Sequence, residues 1–256
     1  MQDEGEFCGG LSAMDIKERI LRRGTPVVIN SFNQFTYLKG MVERLVAAGF
    51  RNVYVLDQAS SYPPLLAWLS QVHDSHGVLP IFLPSNMGPH HFFRAGLFME
   101  LFDGQPFLYS DPDLSWDELA PDFLSTLLSI AHRHQIFKVG PALQIPEVGQ
   151  EKPMQYINGQ ASVAEWEMQF WKDEVEPGVF RAPIDTTFHL FVPRYCPPQA
   201  SMIDGFRVGR PGFVMKHLPW FADDPMPEEE YRFYIQLSKH STWFRQGEEP
   251  GQESKG

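Results

Sequence analysis

Short apolar runs alternate with helix-patterned stretches along the first 113 residues of this chain, and each run stops at or next to a polar residue. Pro26-Val-Val-Ile-Asn30 reads as a short, fully buried strand. Thr36 to Ala48 follows with Tyr37, Leu38, Met41, Val42, Leu45 and Val46 at helical spacing, and Gly49 supplies the stop. Asn52-Val-Tyr-Val-Leu56 is a second strand ending at Asp57, and Pro63 and Pro64 suit the first turn of a helix running through Trp68 to Val72. Val78-Leu-Pro-Ile-Phe-Leu83 is a third strand, whose Pro80 places its early part at a sheet edge because proline has no N–H to donate. A loop at Asn86-Met-Gly-Pro-His90 leads into a predicted helix over Phe92 to Phe102, and Pro106-Phe-Leu-Tyr109 is a fourth strand running into Ser110-Asp-Pro-Asp113. Strands separated by helices call for parallel crossovers. The expected fold class is therefore α/β, with a mostly parallel central sheet flanked by helices in a single domain. Such sheets bind ligands at the carboxyl ends of their strands. That rule singles out Asn30 with Asn33, Asp57, Asn86 with Gly88, and Asp111 with Asp113.

The rest of the chain is less regular. Ile136 to Leu143, Ile184 to Val192 and Phe213 to Lys216 read as strands, Ser162 to Trp171 as a short helix and Glu228 to Ser238 as a final helix. Residues 1–24 form a tail with a short amphipathic stretch from Met14 to Leu21, 25–245 form the domain, and 246–256 form a polar tail expected to be disordered. With 43% hydrophobic and 14% aromatic residues the domain can build one sizeable core. No apolar run approaches the ~20 residues of a membrane-spanning helix. Met1 to Gly10 carries Asp3, Glu4 and Glu6 and lacks the basic-then-apolar pattern of a secretory leader, so a cytoplasmic location is expected. Cys8 and Cys196 are the only cysteines, too few for a disulfide framework or a cysteine zinc site. A formal charge of -11 makes nucleic acid an unlikely partner and implies that any anionic ligand is held through a cation.

Two carboxylates one residue apart in Asp111-Pro-Asp113 can face one hard cation, Mg2+ or Mn2+, bridging a diphosphate. The competing reading is a turn or helix cap before Asp117. Asp57, at the end of the second strand, either starts a turn or accepts hydrogen bonds from a ribose or base. Gly88 permits close backbone approach to a ligand or serves a simple turn. His217 in Met215-Lys-His-Leu-Pro-Trp220 is either a packed histidine or a third metal ligand. His132 and His134 lie on a solvated helix end. Trp166, Phe170 and Trp171 are spaced either for core packing or for stacking on a sugar face.

Val27-Val-Ile-Asn-Ser-Phe-Asn33, Val55-Leu-Asp57, Asn86-Met-Gly88, Tyr109-Ser-Asp-Pro-Asp113, Ala182-Pro-Ile-Asp-Thr-Thr-Phe188 and His217-Leu-Pro-Trp220 together resemble bacterial GT-A glycosyltransferases, including small enzymes of surface-polysaccharide synthesis. The resemblance spans roughly Thr25 to Tyr234 and implies a GT-A fold with a nucleotide-sugar half at 25–113 and an acceptor half at 114–245. It implies transfer of a sugar from a nucleotide-diphosphate donor, with a uridine diphosphate sugar favoured, to a hydroxyl of a glycan or other acceptor. It places the nucleoside at Asn30, Asn33 and Asp57, the donor along Asn86, Gly88 and Asp111, and Mn2+ or Mg2+ on Asp111, Asp113 and His217. The acidic pair of many inverting members has no clean copy here. Asp185 and Glu167 are the candidates for base or acceptor-orienting residue. A non-catalytic nucleotide- or glycan-binding protein of the same fold is one alternative. A sugar nucleotidyltransferase is another, but it calls for a glycine-rich loop with a basic residue where Ser31-Phe-Asn33 stands.

Overall fold

A computed structural model describes residues 14–156, 162–241 and 243–245. The tail at 246–256, residues 1–13 and with them Cys8 lie outside the described residues. The chain runs α1 (Ile16–Gly24), β1 (Val27–Ser31), α2 (Phe35–Ala47), β2 (Val53–Asp57), α3 (Pro63–Leu69), α4 (Val72–His76), β3 (Leu79–Phe82), α5 (His91–Arg94), α6 (Leu97–Phe102), β4 (Phe107–Ser110), β5 (Leu114–Ser115), α7 (Phe123–His134), β6 (Lys138–Leu143), β7 (Met154–Tyr156), α8 (Val163–Met168), β8 (Glu174–Glu176), β9 (Val179–Arg181), β10 (His189–Phe191), β11 (Phe206–Val208), β12 (Val214–His217), α9 (Glu228–Leu237) and β13 (Trp243–Arg245). None of the described helices is long and apolar enough to cross a membrane.

One sheet has the order β3-β2-β1-β4-β10-β6-β11-β9-β8, with β12 beside β6 and β5. β1 pairs in parallel with β2 and β4, and β2 with β3. β10 then runs antiparallel between β4 and β6, while β11 and β12 are parallel to β6. The expected α/β sheet is present, and β3 with its Pro80 is indeed an edge. Alternation along the strands splits the core in two. Val27 and Ile29 of β1 pack with Leu38, Met41, Val42 and Leu45 of α2 and with Leu124, Leu127 and Ile130 of α7. Val28, with Phe107 and Tyr109 of β4, joins Phe92, Phe93 and Phe102 of α5 and α6. Helices therefore cover both faces, which is why β1 is buried at all five positions and carries no polar alternation.

Four predicted segments differ from the sequence expectation. The helix expected from Pro63 through Val72 breaks after Leu69, and α4 starts anew at Val72. The single helix over Phe92 to Phe102 is broken into α5 and α6 by Gly96, which sits at φ 68°. The helix expected from Ser162 to Trp171 stops at Met168 and continues as a tighter turn over Gln169–Trp171, after a capping box between Ser162 and Glu165 at its start. The strand expected from Ile184 to Val192 is strand only at His189–Phe191. Ahead of it, Ile184 and Asp185 are tied as loop by Lys138, whose ammonium donates to their carbonyls, 2.9 Å each, and to that of Met202 at 2.7 Å. An ammonium with three backbone acceptors outcompetes the local β preference.

α1 is turned inside out. Its buried face carries Glu18 and Arg22, paired at 2.7 Å, while Ile16 and Ile20 are exposed. Glu18 accepts from the N–H groups of Leu124 and Ser125, 2.8 Å each, so a side chain from another helix caps α7. The same device recurs at α2, where Glu230 of α9 accepts from Thr36 N at 2.8 Å and Thr36 Oγ1 at 2.6 Å. That contact ties α9 to the first turn of α2.

Candidate active site

A cavity of about 970 Å³ opens at the carboxyl ends of β1 and β4 and is closed on its far side by α8, the loop at 183–187 and α9. Asn30, Asn86, Asp111, Asp113, Glu167, Asp185 and His217 all line it, from stretches of chain up to 187 residues apart. Asn33, Asp57 and Gly88, also expected there, do not line the wall.

The reasons are local. Asn33, at φ 54° and fully buried, turns its side-chain carbonyl onto the N–H groups of Ser61 and Tyr62 at 2.7 and 3.0 Å, which binds the β1 loop to the β2 loop. Asp57 accepts from Ser60 N at 3.0 Å as a turn former, and its other oxygen, Oδ1, has no partner among the described residues. Burial raises the Asp57 carboxyl above its ordinary value. Gly88 sits at φ 81°, and a Cβ there would meet the His240 ring at 3.2 Å. Its glycine is required by the turn and by the close approach of the C-terminal segment.

Asp111 and Asp113 diverge in their partners. Asp111 Oδ2 accepts from Thr186 Oγ1 at 2.5 Å, its backbone N–H donates to Thr186 O at 2.9 Å, and the Asn30 amide donates to its carboxylate. Burial pushes the Asp111 carboxyl well above the usual range; the charge of Asp113 adds to the push, and the Thr186 and Asn30 hydrogen bonds oppose it. Asp113 Oδ2 lies 3.3 Å from His217 Nε2, because β12 pairs antiparallel with β5 in the register His217 opposite Leu114. Asp113 Oδ1 and His217 Nδ1 are buried and have no hydrogen-bond partner among the described residues. Asp57 Oδ1 and His189 Nε2 likewise have no partner among the described residues but lie off the cavity wall, so what sets Asp113 and His217 apart is that both line the cavity beside Asp111. An imidazole nitrogen and carboxylate oxygens form a donor set that suits Mn2+. No three His, Cys, Asp or Glu side chains gather to hold an ion among the described residues. Of the three expected ligands, Asp113 and His217 stand in contact, while Asp111, on the same wall, is hydrogen-bonded by Thr186.

The two carboxylates expected near the acceptor have opposite settings. Glu167 is buried and paired with Arg207 Nη1 at 2.5 Å, and Leu143 N–H donates to it as well. Arg207 is in turn held by Pro183 O at 2.9 Å and lies 4.3 Å over the Phe170 ring. Burial raises Glu167 and Arg207 pulls it back. Asp185, by contrast, is 60% exposed and faces His90 Nε2 at 3.2 Å. Burial lowers the His90 imidazole, with Asp185 acting against it. Trp166 and Phe170 contact edge to face at 5.8 Å and line the cavity, whereas Trp171 packs on Phe180. His132 is exposed on the last turn of α7, as expected, whereas His134, expected to be solvated with it, is half-buried between Glu176 at 3.0 Å and the Phe206 ring.

Sequence reasoning does not single out Gln58, Thr186, His90 or Arg207. The signals for the first two were adjacency, to Asp57 and to Asp185. Arg207 and His90 carried none, since their partners come from other elements.

No protein-family model and no curated protein matches this chain. Among solved structures, it is similar to a mannosyltransferase from Pyrobaculum calidifontis in complex with GDP-Man and Mn2+, at 13% identity and a TM-score of 0.49 over 82% of this chain and 59% of the other. It is also similar to GalNAc-T7 with UDP, GalNAc and Mn2+, at 12% identity and a TM-score of 0.44 over 84% and 48%. A third is UDP-glucose pyrophosphorylase complexed with UDP-glucose, at 11% identity and a TM-score of 0.40 over 66% and 76%. The chain spans little more than half of the first and about half of the second. None of the three reaches a TM-score of 0.5, and the chemistry of the cavity rests on its own residues.

Proposed function

We propose that this protein is a metal-dependent glycosyltransferase that moves a sugar from a nucleotide-diphosphate donor to an acceptor hydroxyl. The observation that carries the reading is the Asp113–His217 pair with its unpartnered Oδ1 and Nδ1, beside Asp111 on the wall of a cavity at the carboxyl ends of β1 and β4. Asp113 and His217 would hold Mn2+ or Mg2+, with Asp111 alongside; when bound, the ion neutralises charge that develops on a departing diphosphate. Hard divalent ions are commonly held by one or two carboxylates with the remaining positions taken by phosphate oxygens and water. A protein-side pair is therefore enough. Such an ion also answers how a chain of formal charge -11 binds an anionic donor.

Asn30 and Asn86 line the side of the cavity assigned to the nucleoside, and Asn33 and Asp57 act behind it by shaping the loops. A uridine diphosphate sugar is the favoured donor, and a glycan hydroxyl the acceptor. Asp185 is the better candidate to take the acceptor's proton. It is exposed to the cavity with His90 to orient it, whereas Glu167 is saturated by Arg207 and the Leu143 N–H.

The test is slow hydrolysis of a panel of UDP- and GDP-sugars, measured with Mn2+ and then with chelator. Turnover of at least one donor that stops with chelator is expected. Metal-independent nucleotide binding with no turnover of any donor would instead identify a non-catalytic binding protein.

A further inference from the structure

Gln58 has no catalytic chemistry, yet its buried side chain joins the end of β1 to the loops that follow β2 and β3. Its Oε1 accepts from Met87 N at 3.0 Å, and its Nε2 donates to Asn30 Oδ1 at 2.8 Å, with a longer contact to Gly88 O at 3.3 Å. A backbone N–H only donates, so Met87 fixes which end of the Gln58 amide faces it. The Gln58 amino group must then face Asn30, and the Asn30 carbonyl must face Gln58. Only the amino group of Asn30 is left to turn toward Asp111, which lines the same cavity wall and whose carboxyl Asn30 helps hold down. Each N–H in the series points toward Asp111, and Thr186 Oγ1 donates to the same carboxylate from the other side. Gln58 and Asn30 are 1% and 8% exposed, too closed for water to reverse the order cheaply.

We propose that Gln58 is a positioning residue that, through Asn30, imposes one hydrogen-bond polarity on Asp111 and so keeps that carboxylate presented to the cavity purely as an acceptor. The relay does not depend on the reaction assigned to the cavity. Under the proposed function, it prepares Asp111 to face a cation.

A thermal-stability cycle tests it on the full chain. Gln58→Glu keeps the acceptor for Met87 but removes the donor, so Asn30 must turn its carbonyl toward Asp111, acceptor against acceptor. Adding Asp111→Asn supplies an N–H at position 111 and lets the reversed series close. Gln58→Glu is expected to lower the unfolding midpoint by roughly 4–10 °C with Asp111 present and by less than half as much with Asp111→Asn. Equal losses in the two backgrounds overturn the proposal. Asn30→Ala, introduced into all four proteins, cuts the relay but leaves charge repulsion between positions 58 and 111. The difference should then vanish, and its persistence would assign the coupling to repulsion and overturn the relay. Should the variants not fold, exchange of the side-chain amide protons by NMR in the unaltered protein decides: Asn30 Nδ2 protons are expected to exchange at least tenfold more slowly than the side-chain amide protons of exposed Gln105, and equal rates overturn the proposal.

Discussion

Two contacts between a carboxylate and a nitrogen side chain line the cavity, and their difference separates structure from chemistry. Glu167–Arg207 and Asp113–His217 are both largely buried, with side-chain exposures of 1% and 7% against 13% and 12%. In the first, every group is accounted for: Leu143 N–H, Pro183 O and the Phe170 ring complete what the pair leaves open. In the second, Asp113 Oδ1 and His217 Nδ1 have no partner among the described residues. Burial and charge pairing alone therefore do not mark a site. Between two pairs on one cavity wall, unfilled hydrogen-bonding capacity separates them, because a saturated pair has nothing left with which to bind.

The sharpest way to break this comparison is Asp113→Ala. Donor hydrolysis is expected to fall by about 1,000-fold or more. The unfolding midpoint should hold or rise, since the change removes a charge that opposes Asp111. A folded variant with normal turnover would refute the assignment of the pair.

Arg207→Met probes the saturated pair and should cost about 3–5 kcal/mol of stability by leaving Glu167 buried without its cation. Combining it with Glu167→Leu should recover most of that loss in a denaturant titration. A single variant as stable as the parent would show that the pair is not the structural one.

The smallest effect lies outside the cavity, at Glu176, where Arg133, His134 and Arg210 converge. The Arg133 hydrogen bonds foremost hold the Glu176 carboxyl down to about 2 from an ordinary 4.5. A carboxyl with a folded value below its unfolded one contributes fully above the unfolded value and loses that contribution as pH falls toward the folded one. Glu176→Gln should thus cost about 1 kcal/mol near neutral pH, after screening. The gap should close between about pH 4.5 and pH 2. A gap that stays constant across that window would remove Glu176 from the acid response.

The strand ends that carry the cavity were legible for a physical reason. A strand buried on both faces must be an apolar run, so the run's end marks the carboxyl edge of the sheet, as at Asn30 and Asp111. Asp113 and His217 were also legible as residue types, one from its strand-end motif and the other from its place before Leu218 and Pro219. Their adjacency was not, because it depends on β12 pairing with β5 across about 100 residues of intervening chain. Loop residues separated worst. Asn33 and Asp111 both follow buried strands, yet one binds backbone and the other faces the cavity.

By itself the sequence determined the alternation of strand and helix through β4, the parallel half of the sheet and the supply of carboxylates and imidazoles at its edge, since these follow from local periodicity and residue chemistry. Tertiary structure alone decided which of those groups are saturated. Arg207 reaches Glu167 from another strand, Lys138 captures the loop of Asp185, and Thr186 with Asn30 claims Asp111, while Asp113 and His217 keep atoms unfilled. The reason is that a hydrogen bond is a contest among whatever groups the fold brings within about 3 Å, and sequence distance does not record that list.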